Sequence, residues 1–295
     1  MLTVTNLEKA DSKKMLMTDV NLTLHEGEIL ALVGEHASGK SLLSKLILTL
    51  SHKTRGSIKV SANQYMGAFI PHEQLMPHIT VKNAIKDYCK LRDHAYHGRN
   101  AKNVLALFNL RKHYNHKISE LTLAERDLLK MSLPLILRTD ILILDNPFAN
   151  LDKQQAKDLR VLLKKVGKEL RTSIMVTASK ISAVEEFCDT IAIIDDGMII
   201  SMQSYNAMVA CELDNAKLGV TVAEPNYAAK VIEDVFQVPA RLCGDQVIVN
   251  LKPERVQDVV DALVNAHVTV ISAQRVFRSL DYQYWELINS RKKYY

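Results

Sequence analysis

The sequence has few cysteines and no long apolar run. Its four cysteines, at positions 89, 188, 211 and 243, form neither a CxxC pair nor a regular framework, which is typical of buried thiols in a reducing compartment. The longest apolar runs, such as MSLPLIL at 131–137, are much shorter than a membrane span. The amino-terminal MLTVTNLEKADSKK also lacks an apolar core of signal-peptide length. We therefore expect a cytoplasmic protein.

The chain also has only a small excess of positive over negative charge. The net charge is +5 with ten histidines taken as neutral, and the basic residues are spread along the chain. Nucleic-acid binding normally requires a concentrated basic patch, so we expect no nucleic-acid partner. Four histidines, at 94, 97, 113 and 116, have no accompanying cysteine or carboxylate pattern and are more typical of a surface than of a metal site.

One short stretch carries the strongest signal in the chain. GEHASGKS at 34–41 matches G-x-x-x-x-G-K-[ST], between a predicted buried strand, ILALV at 29–33, and a predicted amphipathic helix from Lys40. In such a loop backbone N–H groups converge on phosphate oxygens, Lys40 reaches the terminal phosphates and Ser41 binds Mg²⁺. The predicted nucleotide-binding residues are Gly34, Glu35, His36, Ala37, Ser38, Gly39, Lys40, Ser41 and Leu42.

A second predicted buried strand ends on an acidic residue. Asp145 closes ILILD at 141–145, about a hundred residues after the glycine-bounded loop. An aspartate at the end of a buried strand is either a helix cap or the Walker B residue that holds the Mg²⁺ water shell. Because the chain also has the phosphate-binding loop, we predict that Asp145 supports the metal together with Ser41.

The pattern of the remaining chain predicts an α/β fold. Strands such as SIMVTA at 173–178 and TIAIID at 190–195 alternate with helices, which indicates a mostly parallel sheet. A helical subdomain is predicted at about 78–138. The alternation breaks near 211–217, so we predict a nucleotide-binding domain over 1–214 and a small α+β accessory domain over 215–295, closed by a helix around SLDYQYWELI.

The order of these landmarks resembles the ATP-binding subunit of ABC transporters over residues 1–215. The resemblance rests on HEGEILALVGEHASGKSLL, MPHITVKNAI, ISELTLAERDLLKMSLPLILRTDILILDNPFANLD and KISAVEEFCDTIAIIDDGMII. The appended domain ending in SLDYQYWELI is similar to that of bacitracin-resistance and lantibiotic-immunity exporters. The implied fold is a P-loop NTPase sheet of ABC type with a helical subdomain, followed by a small α+β domain.

The resemblance also implies partners and a place in the cell. Two such subunits, in a homodimer or a heterodimer, hold two ATP molecules, each between one subunit's Walker A loop and the other's signature. ATP closes the pair, and the helical subdomain at 78–138 transmits the motion to a membrane-spanning subunit. The expected cofactors are therefore ATP and Mg²⁺, and the expected location is the inner face of the cell membrane, where the chain would be peripheral.

Several positions depart from the family where hydrolysis takes place. Asn146 stands where the family has the glutamate that polarises the attacking water, and an amide cannot act as a general base. Ser179 stands at the switch histidine, and the Q-loop glutamine falls on His72 or Pro71. A shifted alignment would bring forward other carboxylates, Glu120 or Asp196.

The signature and the adenine-stacking position are altered too. Leu121–Glu125 replaces LSGGQ, so Thr122 keeps the hydroxyl and is predicted to contact nucleotide, while two glycines are lost. Asp11 or a neighbour aligns with the aromatic residue that stacks on adenine, whereas Asp152 of the D-loop is retained. Because one chain carries both a Walker B defect and a signature defect, neither composite site of a dimer would be complete.

We therefore interpret the sequence as the ATP-binding subunit of a bacterial peptide-antibiotic or multidrug exporter with weak or absent hydrolysis. The alternative is a nucleotide-binding regulatory or scaffold protein that does not turn over. A translation-associated ABC protein is a further alternative, but such proteins carry two tandem nucleotide-binding domains, whereas this chain has one.

Overall fold

A computed structural model gives the fold of the chain. It describes residues 1–11, 14–71, 74–185, 187–214, 217–251 and 253–276, together with 280, 281, 284 and 288. The chain divides into two compact units, Met1–Tyr205 and Asn206–Tyr295. The domain boundary predicted after residue 214 stays a prediction.

The first unit contains most of the regular structure. In chain order its elements are β1 (Leu2–Asp11), β2 (Lys14–Leu24), β3 (Ile29–Val33), α1 (Lys40–Ile47), β4 (Arg55–Val60), β5 (Met66–Phe69), α2 (Val81–Leu91), α3 (Gly98–Leu107), α4 (Leu123–Ile136), β6 (Ile141–Leu144), α5 (Lys153–Leu170), β7 (Ser173–Ala178), β8 (Thr190–Asp195) and β9 (Met198–Ser204). Short 3₁₀ segments lie at Arg111–His113, Ile118–Glu120 and Ile181–Ala183.

A six-stranded sheet in the order β5-β6-β7-β3-β8-β9 forms the centre of this unit. Strands β3, β5, β6, β7 and β8 are parallel, and β9 returns antiparallel to β8. Strands β3, β6 and β7 are buried at every position, which explains why they appear in the sequence as continuous apolar runs rather than as alternating patterns. Their carboxyl ends lie at one edge of the sheet, which is where α/β proteins bind ligands.

A separate antiparallel sheet in the order β2-β1-β4 packs on this centre. Its buried side chains share one core cluster with β3 and α1. Leu43 and Leu46 of α1 are fully buried in that cluster with Leu30 and Leu32 of β3. The helix that follows the glycine-bounded loop is therefore fixed by its apolar face, and its first turn lies at the edge of the sheet.

The predicted helical subdomain contains α2, α3 and α4. Thr80 begins α2 by accepting a hydrogen bond from the N–H of Asn83, at 3.2 Å. Helix α4 is buried along most of its length, from Asp127 to Ile136. Pro134 lies inside α4, and Thr139 donates its hydroxyl proton to the Pro134 carbonyl at 2.7 Å, so the end of the helix is held by a side chain.

The second unit begins within α6 (Tyr205–Asp214) and is a small α+β fold. It continues with β10 (Lys217–Val222), α7 (Pro225–Phe236), β11 (Ala240–Cys243), β12 (Gln246–Val249), α8 (Val256–Asn265) and β13 (Val270–Val276). The strands form an antiparallel sheet in the order β11-β12-β10-β13, and its buried face shares a core with α7 and α8. The helix predicted around SLDYQYWELI lies mostly outside the described residues.

The structure differs from the sequence-based expectation in a few local elements. The alternation of strands with helices predicts a helix near 181–188, between β7 and β8, but the structure has a short 3₁₀ segment at Ile181–Ala183. Strands β9 and β11 and helix α6 were not expected. Strand β4 belongs to the antiparallel sheet, and α3 begins at Gly98, before the apolar run NVLALFNL.

Candidate functional site

The loop between β3 and α1 requires both of its glycines. A Cβ atom at Gly34 would lie 2.4 Å from the carbonyl oxygen of Ile194 and 2.4 Å from Oγ of Ser38, which no side chain tolerates. Gly39 has φ 109°, a conformation that residues with a side chain rarely adopt. The loop therefore curls tightly before the helix begins, and a side chain at either glycine position would strain it.

Lys40 fills the inside of this curl. Its Nζ donates to the carbonyl oxygens of Gly34 at 2.7 Å and Glu35 at 2.6 Å, and to Oγ of Ser38 at 3.2 Å. Burial lowers the pKa of Lys40 from its ordinary value, and the charges of Asp145 and Glu35 act against that decrease. The ammonium group is thus held where phosphate oxygens could replace the loop's own acceptors.

The first turn of α1 offers hydrogen-bond donors to an anion. Gly39 caps the helix without a side-chain hydrogen bond, and the first turn contains no acidic residue. The first N–H groups of a helix have no intrahelical partner, and the helix dipole makes that end positive. These N–H groups include those of Ser41 and Leu42, two of the predicted phosphate-binding residues, and this arrangement fits a phosphate chain.

The remaining loop residues lie at the surface or support the curl. Glu35, His36 and Ala37 are exposed, and Ser38 is buried. Ala37 has φ 64°, so the loop turns through a left-handed conformation there as well as at Gly39. The predicted loop residues are therefore brought together as one concave backbone surface around the Lys40 side chain.

A tight turn between β8 and β9 holds the loop in place, and its contact with the loop was not predicted from the sequence. The Gly197 N–H donates to the Ser38 carbonyl at 3.0 Å, and the Gly197 carbonyl accepts from the Thr18 N–H at 3.1 Å. Gly197 has φ 72°, and a Cβ there would lie 2.1 Å from the Leu16 carbonyl oxygen. The only signal in the sequence was the turn-forming DDG at 195–197.

Asp145 lies at the same edge of the sheet, immediately after β6. It is 5% exposed, and Oδ1 accepts the hydroxyl proton of Thr177 at 2.7 Å. The Thr177 oxygen in turn accepts the N–H of Asn146 at 2.9 Å. Carboxylate and hydroxyl oxygens are ligands that Mg²⁺ accepts directly or through water, so Asp145 and Ser41 suit the metal of a nucleotide complex.

Thr177 is a functional candidate that sequence analysis missed, and its hydroxyl can be tested. We expect Thr177→Val to destabilise the fold by about 2 kcal/mol, because the partly buried Asn146 N–H loses its acceptor and the buried Asp145 carboxylate loses a donor. The Mg²⁺ dependence of nucleotide affinity should weaken several-fold as Asp145 becomes mobile. Thermal unfolding and a Mg²⁺ titration measure both effects. Thr177→Ser, which keeps the hydroxyl, is the control; a normal Mg²⁺ titration for Thr177→Val would contradict the role.

Asn146 itself is exposed and adopts a left-handed backbone conformation. Its φ is 50°, and asparagine tolerates this region better than most residues. Its N–H is held by Thr177, while its carbonyl accepts the Ala149 N–H at 3.3 Å. The amide side chain therefore stands directly after Asp145 with no carboxylate at that position.

The predicted signature segment begins α4, and its polar groups hydrogen-bond to one another. The Thr122 hydroxyl accepts the Glu125 N–H at 3.2 Å, and Glu125 Oε2 accepts the Thr122 N–H at 2.9 Å. The hydrogen bonds that the Thr122 N–H and then the Thr122 hydroxyl donate to this carboxylate lower the pKa of Glu125, and His113 lies 2.9 Å from its other oxygen. Leu123 is 60% exposed, so the segment presents an apolar side chain at its surface, and the alignment of this position with a signature glycine stays a prediction.

The other predicted residues are distributed as follows. Ser179 directly follows β7 and is exposed, at the same sheet edge as the loop and Asp145. His72 lies outside the described residues, whereas Pro71 is described. Asp152 caps α5, where its Oδ1 accepts the Gln155 N–H at 2.8 Å. The structure thus brings the loop, Asp145 and Ser179 to one edge, and it places Thr122 on the separate helical subdomain.

The curled loop, its buried lysine and the neighbouring aspartate define a nucleotide-binding cassette of the P-loop class. Residues 17–149 match a family model described as ABC transporter. This segment is therefore similar to the ATP-binding cassettes of ABC transporters, and the fold of the chain is that of such a cassette. The predicted fold class is confirmed. Domains of this family bind ATP, typically with Mg²⁺, and pair with membrane-spanning subunits and with each other.

Some relatives extend over nearly the whole chain, and others over about 70% of it. An uncharacterized ABC transporter ATP-binding protein of Bacillus subtilis (strain 168), YcbN, is 23% identical over 96% of this chain and 95% of its own length. The lantibiotic transport ATP-binding protein SrtF of Streptococcus pyogenes is 27% identical over 70% of this chain and 92% of its own. The dimeric post-hydrolysis structure of the cassette MJ0796 has a TM-score of 0.63, at 21% identity over 70% of this chain and 99% of that one.

None of the helices among the described residues is both long and apolar enough to cross a bilayer. The same part of the chain holds no group of three histidine, cysteine or acidic side chains suited to a metal ion. His113 and His116 do meet, with their Nδ1 atoms 3.1 Å apart, but His113 is directed to Glu125 at the start of α4.

Proposed function

We propose that this chain is the Mg-ATP-binding subunit of a bacterial peptide-antibiotic or multidrug exporter, and that ATP binding rather than rapid hydrolysis is its main output. The observation that carries the proposal is the position of Lys40, whose Nζ lies inside the loop within hydrogen-bond distance of three loop oxygens. The similarity to SrtF, a lantibiotic transport ATP-binding protein, supports the exporter class.

Different residues of the site would bind the phosphates and the metal ion. Lys40 and the first N–H groups of α1 would hold the phosphates, while Ser41 and Asp145 would hold the metal. Mg²⁺ would neutralise phosphate charge and orient the terminal phosphate. Thr177 would keep Asp145 directed at the metal, and Gly197 would keep the loop curled.

Weak ATP hydrolysis follows from the two residues at the predicted catalytic positions, Asn146 and Ser179. Asn146 has no proton-accepting group, and Ser179 is too short to take the place of a histidine at the terminal phosphate. Phosphoryl transfer also relies on positioning and electrostatics, so Lys40 and the helix N-terminus would still support slow cleavage. The proposed output is therefore closure driven by bound ATP, with hydrolysis slow.

Closure requires a second nucleotide-binding subunit. The solved dimer of MJ0796 supports such a pairing, and we propose a homodimer or a heterodimer together with a membrane-spanning subunit at the inner face of the cell membrane. Thr122 would face the nucleotide of the partner subunit. We also propose that residues 1–214 form the nucleotide-binding domain and that 215–295 form an accessory, regulatory domain.

The closure step can be tested by sedimentation. Mg-ATP should shift the chain, alone or bound to its membrane-spanning subunit, towards the paired state, because the phosphates bring two positive loop surfaces together. Leu123→Arg should reduce pairing at least about tenfold without changing ATP affinity, since a charge would replace an exposed apolar contact in the proposed interface. Val161→Arg, at an exposed position of α5, is the matched control. Full ATP occupancy with no change in pairing would contradict the proposal.

The exporter class requires a cellular test. A strain whose chain carries Lys40→Ala should become more sensitive to peptide antibiotics such as bacitracin or a lantibiotic, while a Lys45→Ala strain should not. Equal minimum inhibitory concentrations in all three strains, across peptide antibiotics and unrelated drugs, would contradict the exporter assignment while leaving nucleotide binding untouched.

A further inference from the structure

A buried ion pair lies in α4, away from the phosphate loop. Asp127 and Lys130 are one helical turn apart, with 2.6 Å between Asp127 Oδ1 and Lys130 Nζ. Asp127 is 3% exposed and Lys130 is 9% exposed. Charged residues are rarely buried to this extent unless they are paired. The family resemblance assigns neither residue a role.

Each member of the pair also contacts a different segment of the chain. Lys130 donates to the Pro71 carbonyl at 3.0 Å, and its ammonium lies 5.1 Å from the centre of the Phe69 ring. Asp127 Oδ2 accepts a hydrogen bond from Asn150 Nδ2 at 2.7 Å. The turn after β5, helix α4 and the loop between β6 and α5 therefore meet at one pair of charges.

The loop reached by Asn150 is part of the nucleotide site. Residues 146–152, called here the 146–152 loop, begin at Asn146 directly after Asp145 and end at Asp152, the cap of α5. Its internal backbone contacts are long, at 3.3 Å for Ala149 N–H to Asn146 and for Leu151 N–H to Phe148. The shorter bond from Asn150 to a carboxylate is a charge-assisted contact, which is the stronger kind.

We propose that Asp127 and Lys130 are positioning residues for the nucleotide site, which hold the 146–152 loop in register with the turn after β5. If either segment moves away, a buried charge loses a partner, and that loss is costly. The two segments consequently move together. Their use in ATP-driven closure rests on the proposed function, whereas the mechanical link between the segments does not.

A purely structural ion pair would behave differently. Replacing a buried pair by apolar side chains of similar volume often leaves stability unchanged or improves it. The double variant Asp127→Leu with Lys130→Met should therefore keep the wild-type unfolding temperature within a few degrees. If the pair only stabilises α4, the 146–152 loop should also remain as in the wild type.

The test is amide hydrogen exchange in the nucleotide-free protein, read in the 146–152 loop. We expect exchange there to be at least about tenfold faster in the double variant, the effect of losing one charge-assisted hydrogen bond. Asn150→Ala should give the same increase, and adding it to the double variant should increase exchange no further. Gln154→Ala, which removes an exposed amide hydrogen-bonded to Asp158, is the matched control.

Other results would overturn the positioning role of Asp127 and Lys130 or the proposed function. Wild-type exchange of the 146–152 loop in the folded double variant, or effects that add when the three substitutions are combined, would overturn the proposal. With Mg-ATP present, the double variant should bind nucleotide within about twofold of the wild type but pair about tenfold less readily. Failure of the wild type to bind Mg-ATP would contradict the proposed function alone, because the exchange result in the nucleotide-free protein stands without it.

Discussion

Lys40→Ala should lower the affinity for Mg-ATP by roughly 100-fold or more. The substitution removes the cation that now contacts the Gly34 and Glu35 carbonyls and the Ser38 hydroxyl. A hydrogen bond between charged groups is worth about 1.5–3 kcal/mol, and every 1.4 kcal/mol is a factor of ten. Equilibrium binding of a fluorescent ATP analogue with competition by unlabelled Mg-ATP measures the change.

The same helix provides a control. Lys45 is exposed in the last turn of α1, so Lys45→Ala removes a positive charge of the same kind without touching the loop. It should leave the affinity within about twofold, because an exposed charge several residues from the phosphates is screened by salt. Equal losses in the two variants would mean that general electrostatic attraction binds the nucleotide, and the assigned role of the loop would be wrong.

Asn146→Glu should raise the rate of ATP cleavage by about 100-fold. A positioned general base contributes roughly 10²–10⁴-fold, and we expect the lower end because Ser179 and the altered signature remain. The glutamate must adopt the left-handed backbone at φ 50°, so stability should fall by roughly 1 kcal/mol. Phosphate release under saturating Mg-ATP, with unfolding temperature measured on the same samples, tests both parts.

Two companion variants separate chemistry from backbone strain. Asn146→Asp supplies a shorter carboxylate on a residue that tolerates the same backbone region, and it should raise the rate less. Asn146→Gln is as long as glutamate but has no proton-accepting group, and it should leave the rate unchanged. If the glutamine variant were accelerated as much as the glutamate variant, the missing base would not be the cause of weak turnover.

The parts of the site that are predictable from sequence are those with a strict local requirement. Gly34 and Gly39 are glycines because the curl leaves no room for a Cβ at one position and requires φ 109° at the other. A buried strand before the loop and an apolar helix after it are visible in the residue pattern for the same reason. The end of β6 is likewise visible because Asp145 interrupts a continuous apolar run.

Long-range polar contacts could not be predicted in this way. Thr177 reads as one more residue of a buried strand, and its bonds to Asp145 and Asn146 depend on the parallel pairing of β6 with β7. The contact of Lys130 with Pro71 joins residues far apart in sequence. Strand β9 was missed because it is only partly buried, without a clean alternation, so its place depends on pairing with β8.

The most direct test of the central claim identifies the nucleotide that the protein retains. The wild-type chain is incubated with Mg-ATP labelled on the terminal phosphate, free nucleotide is removed, and the bound nucleotide is analysed over an hour. We expect the label to stay on the protein as intact ATP in the wild type and to be absent with Lys40→Ala. Bound ADP with prompt release of labelled phosphate would show that Asn146 does not limit cleavage, and absence of any bound nucleotide would contradict ATP binding itself.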